Sequence, residues 1–158
     1  MHPIYGRGLS GERIVCSAPY QRGHKMTMIG AISVEKVEAA MYGSWAANGE
    51  IFTHFLEEFL GPVLDRGKIV IMDNVSFHSA AGVQELIESK GAKLIYLPPY
   101  SPELNPIENM WSKIKNSLRK TEARTYPSFS RAIKLAFVSI VASDLKGWFK
   151  HCGYGSVI

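Results

Sequence analysis

Two acids stand where this chain could do chemistry. Asp73 closes the apolar run Ile69-Val70-Ile71-Met72, and Asn74 follows it at once. Glu108 lies just inside a marked helix start, Asn105-Pro106-Ile107-Glu108, reached through Leu97-Pro98-Pro99-Tyr100-Ser101-Pro102. Between the acids lie 34 residues. A hard divalent ion needs such a pair, because magnesium takes oxygen ligands and is usually held by one or two carboxylates together with phosphate oxygens. The chemistry indicated is phosphodiester chemistry on nucleic acid.

Each acid also has a plainer use. An Asp at a strand end commonly caps the turn that follows, and Asn74 can do the same work. Position favours function for Asp73, since ligands of open α/β sheets bind outside the carboxyl ends of strands. Glu108 completes a capping-box-like start with Asn105 as cap and Pro106 as first helical residue, an arrangement worth about 1 kcal/mol. Capping does not explain the rest of the helix face. At 100° per residue Ile107, Met110, Trp111, Ile114 and Leu118 form an apolar stripe, and Glu108, Ser112, Lys115 and Arg119 align on a polar one. An acid followed by two cations suits a metal at the helix start with phosphates laid along Lys115 and Arg119. A solvated, salt-bridging face is the alternative. His78, five residues after Asp73, is more often a structural hydrogen-bonder than a catalyst in such a place, and is carried with Asn74 as a supporting candidate. Trp111 falls on the apolar stripe and reads as core. The first duty of the Tyr100-Ser101-Pro102 loop is to hold Glu108.

The elements that must position these residues can be read from period and punctuation. Residues 12–20 and 25–34 read as two strands of a hairpin about the basic turn Gln21-Arg22-Gly23-His24-Lys25. Residues 37–43 suit a third strand, and Asn48-Gly49-Glu50 opens a helix over 51–60 that ends near Pro62. A buried strand over 68–72, a helix from about Ser79 to Lys90 closed by Gly91, and a strand over 93–97 make a β-α-β crossover. After the proline-rich stretch comes the Glu108 helix. Phe129, Ala132, Ile133, Ala136, Phe137 and Ile140 mark another helix, and a short one ends near Cys152. The layout is α/β with a partly parallel sheet.

With 158 residues the chain has single-domain length, long enough to bury about 70% of its unfolded surface. A net charge of +4 is compatible with an anionic partner without identifying one. Cys16 and Cys152 have neither metal-ligand spacing nor the density of a disulfide framework, which fits a reducing compartment. No signal-peptide h-region opens the sequence, and no stretch approaches the roughly 20 apolar residues of a membrane span. The expectation is a cytoplasmic protein without a membrane partner.

Taken together, Met72-Asp73-Asn74 with His78, and Leu97-Pro98-Pro99-Tyr100-Ser101-Pro102 running on to Asn105-Pro106-Ile107-Glu108, resemble the mariner-like bacterial insertion-sequence transposases of the DDE superfamily. Tyr5-Gly6-Arg7, Gly11-Glu12-Arg13, Asn48-Gly49-Glu50 with Phe52, and the Gly153-Tyr154 ending also resemble that family, so the likeness covers nearly the whole chain. It implies a ribonuclease-H-like mixed sheet flanked by helices, in which three acids hold two Mg2+ or Mn2+ ions for cleavage and strand transfer of DNA. Asp73 and Glu108 match the second and third acids. The implied partners are transposon ends and target DNA, with a homodimer or pairing with a full-length transposase as the protein partner.

The sequence departs from the family at its start. The first acid should be an Asp on the first, central strand, upstream of His2-Pro3-Ile4-Tyr5. The only Asp residues are Asp65, Asp73 and Asp144, and none fits that place. Glu12, Glu35 and Glu38 are the nearest substitutes, at positions matching later strands. The expectation is therefore one truncated catalytic domain over residues 1–158, lacking its first central strand and inactive alone. Two alternatives accompany it: a non-catalytic fragment that binds or inhibits an intact transposase, and an unrelated metal-dependent phosphohydrolase using the same acids.

Overall fold

The computed structural model describes residues 10–11, 26–75, 82–121 and 125–155. The expected strand over residues 12–20, its basic turn, the start of the helix expected from Ser79, and His78 lie outside them. By its internal contacts the chain divides into two compact units, residues 25–110 with 140–158 and residues 1–24 with 111–139.

The first unit carries all the described strands. β1 (Thr27–Ile32) and β2 (Val37–Gly43) pair antiparallel with Ile29 opposite Met41, and the register shifts between Ala31 and Ile32. Their turn is tied by Ser33, whose Oγ accepts from the amides of Glu35 and Lys36, each at 3.2 Å. Asn48 accepts from the amide of Ile51 at 2.9 Å and starts α1 (Gly49–Phe55), as its short polar side chain predicts. The helix then widens over Leu56–Leu60 and tightens over Gly61–Val63.

β3 (Ile69–Met72) and β4 (Lys93–Tyr96) pair in parallel, with Ile71 opposite Ile95, and α2 (Val83–Ser89) lies between them in the chain. That is the expected crossover. Gly91 closes α2 at φ +79°, a backbone conformation that costs glycine no Cβ clash. Among the described residues the two strand pairs form separate sheets. One apolar core serves both: Phe52, Phe55, Leu56 and Leu60 are buried with Ala39 of β2, Met72 of β3 and Val83 and Ile87 of α2. Alternation assigns Val70 and Leu94 to this core and leaves Ile69, Ile71 and Ile95 outward and exposed.

α3 (Pro106–Thr121) starts in the first unit, and the division falls between Met110 and Trp111. Its apolar stripe is as expected: Met110, Ile114 and Leu118 are buried, while Ile107 and Trp111 are half-buried. In the second unit Trp111 meets Phe137 of α4 (Tyr126–Val138) edge to face at 6.3 Å, and Lys113 Nζ donates to the carbonyl of Ser139 at 2.9 Å. Thr125 and Ser128 cap α4 reciprocally. α5 (Ala142–His151) returns to the first unit with Leu145 buried. No helix among the described residues is long and apolar enough to cross a membrane.

Candidate active site

Asp73 is the residue immediately after β3. Its place is fixed by parallel pairing that runs to the last strand residue, Met72 opposite Tyr96, and one step further by the amide of Leu97 donating to the carbonyl of Met72 at 2.9 Å. Asp73 is half-buried, and its Oδ1 is shielded from solvent. Asn74 beside it is exposed.

Glu108 arrives by the loop after β4. Three prolines stiffen residues 98–102, and Tyr100 between them adopts a left-handed backbone at φ +58°, uncommon for a bulky side chain. A tight turn over Pro102–Leu104 follows, with Leu104 N donating to Ser101 O at 3.1 Å and Asn105 N to Pro102 O at 3.0 Å. Pro106 then begins α3, where a missing N–H costs nothing, and the amide of Glu108 donates to Asn105 O at 3.1 Å.

Both acids line one pocket of about 330 Å³, together with Asn74, Pro98, Tyr100 and Asn105. This is the decisive juxtaposition: a carboxylate from a strand end faces the same space as one from a helix start. Glu108 is exposed there, and Tyr100 is fully exposed, at 101% of its reference area. The donors are hard oxygens, two carboxylates and the side-chain amides of Asn74 and Asn105, a set suited to magnesium or manganese rather than to a soft metal. No cluster of three His, Cys, Asp or Glu side chains arranged to hold a metal occurs among the described residues.

The other acids considered from sequence are employed elsewhere. Asp65 is exposed and pairs with Lys68 at 3.4 Å. Asp144 accepts from the amide of Val141 at 3.0 Å and caps α5. Glu38 pairs with Lys36 at 3.4 Å, and Glu35 sits in the β1–β2 turn. Glu12 lies outside the described residues. Along α3, Lys115 is exposed and Arg119 donates to Asn116 Oδ1 at 2.9 Å. No ion pair among the described residues joins Glu108, Lys115 and Arg119 into the salt-bridged face considered above.

Local sequence patterns did not reveal a third support. Gly153, at φ +90°, ends α5 in a Schellman turn: Gly153 N donates to Lys150 O at 3.1 Å and Tyr154 N to Phe149 O at 2.9 Å. Tyr154 consequently folds back against Phe149, ring centroids 5.8 Å apart, and its hydroxyl donates to the carbonyl of Leu104 at 3.0 Å. Next to it Asn109 Nδ2 donates to the buried Cys152 Sγ at 3.8 Å. Burial pushes the Cys152 thiol above its ordinary value, against a smaller lowering by Asn109. Burial, and then the neighbouring Cys152, push the Tyr154 phenol up as well.

Residues 1–131 match the family model of the DDE superfamily endonuclease. The chain belongs to that family. It is 28% identical over 149 residues to the Tc3 transposable-element transposase of Caenorhabditis elegans, a match covering 90% of this chain and 45% of the relative. Among solved structures, the Mos1 transposase paired-end complex with left transposon end superposes with a TM-score of 0.78 at 15% identity, covering 98% of this chain and 48% of the other. The Mos1 strand transfer complex gives a TM-score of 0.74 at 15% identity, covering 95% and 46%. These likenesses bear out the ribonuclease-H-like α/β fold for this DDE endonuclease chain. It spans about half the length of the relatives it matches.

Proposed function

We propose that this chain carries the catalytic half of a DNA transposase and that Asp73 and Glu108 are its second and third metal-holding acids. The observation that carries the reading is their meeting in one pocket, from a strand end and a helix start with 34 residues between them in sequence. Family membership supports the endonuclease chemistry, and the likeness to Mos1 complexes with transposon ends supports DNA as the substrate. A Mos1 paired-end complex with Mn also superposes, with a TM-score of 0.71 at 13% identity, in keeping with a divalent cation here.

A divalent cation bound to the pair would supply Lewis-acid polarisation of the scissile phosphate and activation of the attacking hydroxyl. The remaining work falls to the chain itself. Asp73 is held by strand pairing and the backbone of Glu108 by its helix start, so both carboxylates are delivered to the pocket by fixed main chain. The side-chain amides of Asn74 and Asn105 orient phosphate oxygens at the pocket wall, and Lys115 and Arg119 on α3 take flanking phosphates of the DNA backbone. His78 is a supporting candidate from its spacing alone.

With Asp65 and Asp144 engaged in local bonds, the pair lacks a third Asp, and the chain by itself is proposed not to cleave DNA. The test is Mn2+-dependent nicking of a transposon-end duplex by a protein that includes the family's first acid, with Asp73→Asn and Glu108→Gln compared. Abolished cleavage with DNA affinity retained supports the assignment, and undiminished cleavage by either variant refutes it. A second reading, a non-catalytic module that pairs with an intact transposase, is favoured by the apolar face of Ile69, Ile71 and Ile95 left outward on the parallel strand pair, since such pairs are ordinarily covered on both faces. Co-purification with full-length transposase tests it.

A further inference from the structure

We propose that Tyr154 is a positioning residue for Glu108, and that the turn closing α5 sets the geometry, and so the metal affinity, of the acid pair. The inference rests on reading Asp73 and Glu108 as the cation-binding pair.

The segment from Leu104 to Asn109 brings Glu108 to the pocket, and its own bonds are the backbone turn before α3 and the first turn of that helix. Two bonds reach it from α5, on either side of Glu108: the Tyr154 hydroxyl to Leu104 O at 3.0 Å, 50 residues away in sequence, and Asn109 Nδ2 to Cys152 Sγ at 3.8 Å. The first is a well-formed hydrogen bond and the second a weak one. The holding turn is itself rigid. Gly153 supplies the left-handed residue, the Schellman bonds fix the main chain, and Phe149 packs against the Tyr154 ring. A rigid clamp on both sides of an exposed carboxylate narrows the positions it can take, and affinity rises when a ligand group is held in its bound place beforehand.

Tyr154→Phe removes the hydroxyl and keeps the ring against Phe149. Mn2+ binding by the full chain, followed by electron paramagnetic resonance of the free ion, should weaken about three- to tenfold, the range of one intramolecular hydrogen bond. The far-ultraviolet circular dichroism should be unchanged at the temperature of the titration. In a Glu108→Gln background the same change should weaken binding much less, because the charge being positioned is gone. Cys152→Ser, which keeps an acceptor for Asn109, should bind as the parent does, and Cys152→Ala should fall between the parent and Tyr154→Phe. Parent-like affinity in Tyr154→Phe overturns the proposal, as does a loss that persists undiminished with Glu108→Gln or that tracks unfolding. Parent Mn2+ affinity unchanged by both Asp73→Asn and Glu108→Gln would instead refute the reading of the acid pair.

Discussion

Replacing Asp73 by Asn removes one negative charge at nearly constant volume, and the pocket allows its effect on a bound cation to be worked out. A divalent ion about 3 Å from a carboxylate gains roughly 3 kcal/mol from that single charge even at the dielectric of bulk water, which is about a hundredfold in dissociation constant. Glu108 is exposed, so Glu108→Gln should lie near that figure. Asp73 is half-buried with Oδ1 shielded, the local dielectric is lower, and Asp73→Asn should cost more. Glu103 is an exposed acid in the same loop that does not line the pocket, and Glu103→Gln should change affinity less than about threefold once 0.1 M salt screens it. The assay is an Mn2+ titration of parent and variants at fixed ionic strength. Equal losses in all three variants would mean that only net charge attracts the ion, and would refute a site built by Asp73 and Glu108. A larger loss for Glu108→Gln than for Asp73→Asn would refute the burial argument.

Four further outcomes are expected. Gly153→Ala should lower stability by about 1–2 kcal/mol, because φ is +90° and an added Cβ meets nothing within 4 Å, so the cost is backbone strain alone; thermal unfolding reads it. Ile133→Ala should cost about 2–5 kcal/mol and Ile133→Val about 0.5–1.5, since the side chain is fully buried; denaturant midpoints at constant slope check both. Lys115→Gln should weaken DNA binding about equally across sequences and lower the salt dependence of log K by about one, measured by fluorescence anisotropy at several salt concentrations. Burial raises both the Cys152 thiol above 9.0 and the Tyr154 phenol above 10.0, so the folded chain holds these protons more tightly than the unfolded one. Their contribution is complete below pH 9.0 and is lost as pH rises through the folded values, and urea midpoints between neutral and alkaline pH should fall less steeply in Tyr154→Phe.

What could be read from the sequence was what local chemistry dictates. Ile69 to Met72 announced a strand, Gly91 a helix end, Asn48-Gly49-Glu50 a helix start, and Met110, Ile114 and Leu118 a buried stripe, because period and punctuation act within a few residues. Asp73 and Glu108, which line one pocket, stood out as candidates for the same reason, each lying at a marked element end. The widening of the helix over Leu56–Leu60 carried no such mark, since the apolar spacing of Phe52, Leu56 and Leu60 reads as an ordinary helix. Tyr100 gave no sign of its left-handed backbone because that conformation is expected of Gly, Asn or Asp. The bond from Tyr154 to Leu104 was out of reach: it joins residues 50 apart, and only the tertiary fold brings them together.

The two acids are held by unlike means, and that difference bears on how the site behaves. Asp73 is fixed by a ladder of backbone bonds continuous with the core, so moving it means breaking parallel pairing between β3 and β4. Glu108 stands at the end of an exposed loop whose first residue, Leu97, is bonded to Met72 and whose far end is gripped by Tyr154 and Cys152. Disturbance of the loop therefore changes where Glu108 lies relative to a stationary Asp73. Charge sets the other limit. If one carboxylate is worth about a hundredfold in affinity, a pair without a third acid starts at a disadvantage of that order, and precise placement of Glu108 cannot offset it, since a single positioning hydrogen bond commands only about tenfold. On the proposed reading of the acid pair, the arrangement of residues 97–109 and 152–154 refines where Glu108 lies and does not substitute for a further acid.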